Sequence, residues 1–168
     1  MPVMNTDMIF QIYTSDSADT ERIGETLGEL LKGGEVINLR ADLGGGKTTF
    51  VKGLARGAGS KDRVASPTFT LSKIYFGNNL EIHHYDFYRL TDAGVLFDQV
   101  EESISSPHVV TVIEWSEVVK AAMPTGAVNI LFEPVSNNPD ERTITISYSK
   151  ESFDLIEQLK TGLVTVKP

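Results

Sequence analysis

In LRADLGGGKTTF, residues 39–50, three consecutive glycines join an apolar run to a helical pattern. The run at residues 35–39 is short and apolar, as expected of a buried strand. After the glycines, apolar residues recur at helical spacing from Phe50 to Ala58. A strand, a glycine loop and a helix in this order are typical of a loop that binds phosphate, and a flexible linker lacks such flanks.

Residues 41–48 fit the phosphate-loop spacing G-x-x-x-x-G-K-S/T, with Ala41 in place of the first glycine. Ala41 costs little if its φ is negative and strains the turn if its φ is positive. Lys47 is predicted to reach the β- and γ-phosphates of a nucleotide, the Thr48 hydroxyl to bind Mg²⁺, and Thr49 to reach the α-phosphate. The predicted nucleotide-binding residues of the loop are Gly44, Gly45, Gly46, Lys47, Thr48 and Thr49.

The rest of the chain alternates between strand and helix patterns. The predicted strands are residues 8–13, 35–39, 68–76, 80–88, 109–113, 128–132 and 142–148. One helix is predicted to begin near Ser17, which we expect to cap it, and a second directly after the glycine loop. Three more are predicted over residues 91–104, 116–123 and 151–160. These elements predict one α/β domain over residues 1–168, a P-loop NTPase-like three-layer sandwich whose mixed sheet is parallel at its centre and carries antiparallel hairpins.

Two acidic residues end predicted strands, where α/β proteins bind ligands. Glu114 follows the β-branched run VVTVI, and Asp86 ends HHYD. A phosphate loop needs such an acid for Mg²⁺, so both are candidate catalytic residues together with Lys47. The alternative for each acid is that it is a solvated residue at a strand end with no role in a site.

Thr68 and Trp115 are further candidates near the nucleotide. Thr68 lies in ASPTFTL, residues 65–71, where a hydroxyl can sense phosphate or metal as in switch loops, although a plain turn fits equally well. Trp115 directly follows Glu114, and packing in the core suits it at least as well. His83 and His84 are adjacent on a strand, so they are expected to face opposite sides.

The composition limits the classes of function. The 168 residues are 40% hydrophobic, contain no cysteine and carry a formal charge of −8. Disulfides and thiolate chemistry are therefore excluded, and a chain this acidic is a poor candidate for binding nucleic acid alone. Neither a signal peptide nor an apolar run of membrane-spanning length is visible, so a soluble, intracellular protein without membrane attachment is expected.

Four ordered motifs carry a resemblance to a known family. The segments ADLGGGKTTF, SPTFTL, HHYDFYRL and VIEWSE resemble those of the bacterial TsaE family, the ATPases of tRNA threonylcarbamoyladenosine biosynthesis, over roughly residues 9 to 148. Family members usually have glycine where Ala41 stands, and often alanine where Gly45 stands. The helical segment 91–104 matches the family only loosely.

The resemblance implies a P-loop fold, a cytoplasmic location and a partnership with the TsaB and TsaD proteins, with tRNA reached only through that complex. It implies that Thr48 and Glu114 hold Mg²⁺, that Asp86 serves the nucleotide site or catalysis, and that Trp115 lies near the nucleotide. It places Thr68 in a switch-like segment and the turn around residues 16–17 near the adenine. The implied activity is ATP binding and hydrolysis that support repeated turnover by TsaD.

Two other functions remain open from the sequence. A P-loop kinase would phosphorylate a small molecule, but the short chain shows no lid or acceptor site. A non-catalytic nucleotide-binding module would bind ATP without turnover. No residue is an obvious base for activating water, so hydrolysis by the isolated chain is expected to be slow.

Overall fold

The computed structural model describes residues 7–42 and 44–165, which form a seven-stranded sheet flanked by helices. The strands are β1 (Met8–Thr14), β2 (Val36–Arg40), β3 (Ser72–Phe76), β4 (Glu81–Asp86), β5 (Val109–Glu114), β6 (Val128–Val135) and β7 (Asn138–Tyr148). The α-helices are α1 (Ser17–Leu30), α2 (Lys47–Gly57), α3 (Leu96–Ser105) and α4 (Phe153–Thr165). Short 3₁₀ helices cover Ser116–Ala122 and Lys150–Ser152.

The sheet has the order β1-β7-β6-β2-β5-β4-β3 and is parallel at its centre. Strands β6, β2, β5 and β4 run parallel, whereas β3 pairs antiparallel with β4, and β7 pairs antiparallel with β1 and β6. All six residues of β5 are buried, as expected of a central strand covered on both faces. The predicted α/β fold, with its mixed sheet and antiparallel hairpins, is confirmed.

Helices α1, α2 and α4 cover one face of the sheet and close the larger core, which includes Leu27, Leu54 and Ile156. Helix α3 and the 3₁₀ helix Ser116–Ala122 close a smaller core on the other face, next to β4 and β5. This third layer stops short of β1, whose Ile9 and Tyr13 are 67% and 75% exposed.

Helices α1 and α2 touch backbone to backbone through paired glycines. A Cβ atom built at Gly24 or Gly28 of α1 would lie 2.2 Å from a carbonyl oxygen of α2. At Gly53 and Gly57 of α2 it would lie 1.9 and 2.0 Å from the carbonyl oxygens of Glu21 and Glu25. The four glycines therefore set how closely the two helices approach, because a side chain cannot be accommodated at any of them without a shift of backbone.

Several local predictions are wrong at element ends, most clearly at the starts of α1, β3 and α3. Asp16, not Ser17, caps α1, because its carboxylate accepts a hydrogen bond from the backbone N–H of Asp19 at 2.9 Å. Strand β3 begins at Ser72 rather than at residue 68, since residues 68–71 form a turn in which Leu71 has a φ of 66°. Helix α3 begins at Leu96 rather than at 91, after a turn in which Gly94 has a φ of 54°.

The segment 116–123, predicted as an α-helix, is a 3₁₀ helix at Ser116–Ala122. Val119 interrupts it with a non-helical φ of −121°, so the segment is two short turns that meet at a kink. Within the part of the chain that the structure describes, no helix has the length and apolar character needed to cross a membrane.

Candidate functional site

The candidate site is a cavity of about 220 Å³ near the carboxyl ends of β2, β4 and β5. Parallel strands of α/β sheets bind ligands at this edge. The predicted site residues all line it: Gly44, Gly45, Gly46, Lys47, Thr48, Thr49, Thr68, Asp86, Glu114 and Trp115. Ser66 lines it as well. The structure therefore brings together residues from four separate segments of the sequence, whose individual roles remain predictions.

The glycine loop has backbone geometry that other residues rarely adopt. Gly44 and Gly46 have φ angles of 77° and 102°. Gly46 is the N-cap of α2 without a side-chain hydrogen bond, and the N–H of Phe50 bonds back to Gly46 O at 2.9 Å. The N–H groups of the first turn of α2, before Phe50, therefore have no carbonyl partner within the helix. They point out of its N-terminal end, which faces the cavity. Such a helix end can hold an anion.

Ala41 and Gly45 fit each other within the loop. Ala41 is not among the residues with a positive φ, so its methyl group does not strain the turn. A Cβ atom at Gly45 would lie only 2.6 Å from the Ala41 Cβ and 2.9 Å from the Asp42 carbonyl oxygen. The methyl group of Ala41 thus occupies space that a side chain at position 45 would need.

Gly45→Ala is therefore expected to destabilise the protein, by about 1–3 kcal/mol, since overpacking costs this much in well-packed sites. Adding Ala41→Gly should recover part of the loss, because it removes the closer of the two contacts while the Asp42 carbonyl remains. Calorimetric unfolding of both variants, with Ala41→Gly alone as the control, measures the effect. If Gly45→Ala unfolds at the temperature of the unsubstituted protein, the loop has another conformation.

Lys47 is buried at the centre of the site, with 7% of its surface exposed. Its Nζ atom lies 3.6 Å from Glu114 Oε2 and donates a hydrogen bond of 3.4 Å to the Ala41 carbonyl. It also stands 4.8 Å from the centre of the Trp115 ring, a cation–π distance. Because both polar contacts are long, they stabilise the buried charge only weakly. The ammonium can therefore exchange them for a closer contact with an anion such as phosphate while losing little free energy.

Asp86 is 3% exposed and is held by the segment 65–71. The Thr68 hydroxyl donates to Asp86 Oδ2 at 2.7 Å, and Ser66 lies 2.7 Å from the same hydroxyl. The backbone N–H of Tyr88 donates to Asp86 Oδ1 at 3.0 Å. Thr68 therefore lies in the site with a definite partner, and Asp86 is neither solvated nor free to rotate.

Glu114 is also 3% exposed and has a partner on each carboxylate oxygen. Lys47 faces Oε2, and His84 Nε2 lies 2.8 Å from Oε1. In the register of the parallel pair, Asp86 stands opposite Glu114, which brings the two acids together at one edge of the sheet. Both acids are therefore buried, and neither is the solvated residue at a strand end that was the alternative.

Trp115 has a left-handed backbone conformation, with a φ of 59°, which is rare for a large residue. Such strain persists only where the surroundings enforce it, and it is common at functional sites. The turn holds the indole ring beside Lys47, and the Tyr88 ring packs against it at 4.9 Å. The only tryptophan of the chain is therefore a wall of the cavity.

Sequence reasoning missed Ser66 and His84. His84 could have been predicted from the alternation of side chains along β4, because that alternation puts His84 on the same face of the sheet as Asp86. The expectation that the two histidines face opposite sides agrees with their partners. His83 bonds to Glu81 and Ser103 at 2.8 Å each, away from the cavity, while His84 bonds to Glu114.

A parallel-centred sheet whose glycine loop opens a helix beside two buried acids defines a P-loop NTPase-like α/β protein. Comparison with protein families narrows this class. The family model described as "Threonylcarbamoyl adenosine biosynthesis protein TsaE" matches residues 14–144. The chain belongs to the TsaE family, which has its role in tRNA threonylcarbamoyladenosine biosynthesis.

Individual relatives agree with this assignment. A tRNA threonylcarbamoyladenosine biosynthesis protein TsaE of Treponema pallidum (strain Nichols) is 40% identical over 126 residues, covering 75% of this chain and 93% of that protein. The protein of the same name from Nostoc sp. is 38% identical over 131 residues, 76% of this chain and 80% of its own length. The crystal structure of Bacillus subtilis YdiB superposes with a TM-score of 0.77 at 28% identity, covering 93% and 97% of the two chains.

Proposed function

We propose that this protein is the ATP-binding and ATP-hydrolysing subunit required for threonylcarbamoyladenosine modification of tRNA, and that it supports turnover of the cytoplasmic TsaB–TsaD transferase complex. One observation carries the proposal: the N-terminus of α2, the Lys47 ammonium and two buried carboxylates meet around one cavity. Family membership supplies the pathway. The formal charge of −8 favours contact with tRNA through partners rather than by this chain alone.

The donor set fits a magnesium nucleotide. With both acids ionised, Asp86, Glu114 and Lys47 sum to one excess negative charge, which suits a divalent cation, and their oxygens with that of Thr48 are hard ligands. Among the described residues no three histidines, aspartates or glutamates lie close enough to hold a metal alone. This agrees with Mg²⁺ sites that use one or two protein ligands and complete their shell with phosphate and water.

Each side chain then has a defined task in the proposed function. The N–H groups at the start of α2 bind the phosphates, Lys47 moves from Glu114 to the β- and γ-phosphates, and Thr49 approaches the α-phosphate. Thr48 and Glu114 hold Mg²⁺, which neutralises charge on the phosphates when it is bound. Asp86 accepts the hydrogen bond of the Thr68 hydroxyl beside the cavity and serves the nucleotide site or catalysis, and Trp115 lies against the nucleotide.

The deciding experiment is Mg²⁺-dependent ATP hydrolysis by the pure protein, with and without the TsaB–TsaD pair and tRNA. Slow basal turnover that rises at least tenfold with the pair is the expected result. Stimulation by an acceptor metabolite without protein partners would instead indicate a kinase, and turnover that stays negligible with the pair would indicate a passive nucleotide-binding module. Either outcome would overturn the proposal.

Glu114→Gln is expected to lower Mg²⁺-dependent hydrolysis by about ten- to a hundredfold, because a neutral amide is a poor ligand for the cation and changes the charge beside the phosphates. Nucleotide binding measured in EDTA should change by less than about threefold. Hydrolysis assays and calorimetric titration of the same preparation separate the two effects. Full hydrolysis by Glu114→Gln would make Glu114 a structural acid.

A further inference from the structure

A buried chain of hydrogen-bonding groups runs beneath the candidate site and connects Glu114 to the segment 65–71. His84 is 0% exposed and contacts Glu114 Oε1 through Nε2 at 2.8 Å. On its other side, His84 Nδ1 lies 3.5 Å from the phenol oxygen of Tyr75. The Tyr75 hydroxyl donates to the carbonyl oxygen of Ala65 at 2.9 Å. Ala65 begins the segment that carries Thr68.

The proton positions along this chain follow from its chemistry. An ionised carboxylate has no proton to give, so the contact with Glu114 requires a proton on His84 Nε2. Burial, reinforced by the charge of Glu114, raises the pKa of Tyr75, so its phenol keeps its proton. That proton is donated to Ala65, so the phenol packs against His84 Nδ1 at 3.5 Å without donating to it. His84 is therefore the donor that holds Glu114 from the protein interior.

The two contacts of Glu114 differ in permanence. Lys47 stands 3.6 Å away and, in the proposed function, leaves Glu114 for the phosphates. His84 is enclosed, and within the described part of the chain its two ring nitrogens contact only Tyr75 and Glu114. When Lys47 moves, the bond from His84 is the one that still fixes the carboxylate. A buried imidazole that is fully packed is well suited to this task, because it cannot rotate away.

We propose that His84 is a positioning residue that fixes the Glu114 carboxylate for Mg²⁺ and, through Tyr75, ties its position to the segment 65–71. This inference rests on the proposed function, since it assigns a role toward the nucleotide-bound metal. Outer groups of this kind typically change metal affinity or activity ten- to a hundredfold when they are removed.

The test compares His84→Leu, which fills the space without a donor, with His84→Gln, whose amide N–H reaches the position of Nε2. Trp115 is the sole tryptophan and lines the cavity, so its fluorescence reports ADP binding directly. In EDTA, both variants should bind ADP within about twofold of the unsubstituted protein. On addition of Mg²⁺, His84→Leu should require at least tenfold more cation for half of the fluorescence change, and His84→Gln should stay within about threefold.

Several results would contradict the inference. Unchanged Mg²⁺ dependence in His84→Leu would show that the contact does not position Glu114, and equal losses in the Leu and Gln variants would reduce His84 to a packing residue. If His84→Leu fails to fold, His84→Asn, whose shorter amide does not reach Glu114, replaces it with the same expectation. A failure of the proposed function is distinguishable, because it is measured as ATP hydrolysis by the unsubstituted protein with and without the TsaB–TsaD pair, whereas the His84 test measures only the Mg²⁺ dependence of nucleotide binding.

The tie to the segment 65–71 has its own test. Tyr75→Phe removes the hydroxyl but keeps the ring, and it should raise the Mg²⁺ requirement about threefold in the unsubstituted background. In the His84→Leu background it should add nothing, because the connection to Glu114 is already broken. Equal effects of Tyr75→Phe in both backgrounds would show that Tyr75 acts independently of His84.

Discussion

Replacing Lys47 by alanine is expected to weaken ATP binding about a hundredfold and to abolish hydrolysis. Hydrogen bonds to charged groups contribute about 1.5–3 kcal/mol each, and Lys47 is the cation at the centre of the cavity. Its removal also leaves the buried carboxylate of Glu114 with only His84 as a partner. Unfavourable charge at the site of the phosphates therefore adds to the lost contact.

Isothermal titration with ATP and Mg²⁺ measures this effect without relying on Trp115, whose fluorescence Lys47 itself influences at 4.8 Å. Lys52→Ala is the matched control, because Lys52 is an exposed lysine of the same helix. Its affinity should stay within about twofold of the unsubstituted protein. Unchanged affinity in Lys47→Ala would show that the glycine loop is not the phosphate site.

Replacing Gly53 by alanine is expected to lower the free energy of unfolding by about 3 kcal/mol or more, a larger loss than that expected for Gly45→Ala. The new Cβ atom would lie 1.9 Å from the carbonyl oxygen of Glu21 and 2.8 Å from the backbone nitrogen of Glu25. Both neighbours belong to the backbone of α1, so the helices themselves must separate. The higher helix propensity of alanine offsets only about 1 kcal/mol of this cost.

Thermal unfolding should show the midpoint of Gly53→Ala lowered by about 6–12 °C, since 1 kcal/mol corresponds to about 2–4 °C for a protein of this size. Lys52→Ala serves again as the control, because exposed substitutions usually change stability by less than about 0.5 kcal/mol. A midpoint equal to or above that of the unsubstituted protein would mean that α1 and α2 do not touch as described.

The sequence predicts those parts of the protein that local pattern determines. The glycine loop has its own spacing, and the strand before it and the helix after it have their own periodicity, so β2, the loop and α2 follow from residues 35–58 alone. Glu114 and Asp86 could each be placed at the end of a strand. Their positions opposite each other depend on the pairing of β4 with β5, which local pattern does not contain.

The features that were missed depend on contacts between distant segments. The bond from His84 to Glu114 joins residues 30 positions apart and requires the register of β4 on β5. The four-residue spacing of Gly24 with Gly28, and of Gly53 with Gly57, is visible in the sequence, but only the packing of α1 on α2 gives it meaning. Element ends shifted where side chains or glycine turns compete with regular structure, as at Asp16 and Gly94.

The contact between Ala41 and Gly45 has a consequence for the divergence of related chains. The two positions cannot both carry a methyl group without a backbone shift, because their Cβ atoms would be 2.6 Å apart. A lineage that changes from glycine at 41 and alanine at 45 to the present pair is therefore expected to pass through glycine at both positions rather than alanine at both. Alanine at both should be rare among present-day sequences, and the order of the two mutations in any ancestral reconstruction should be fixed.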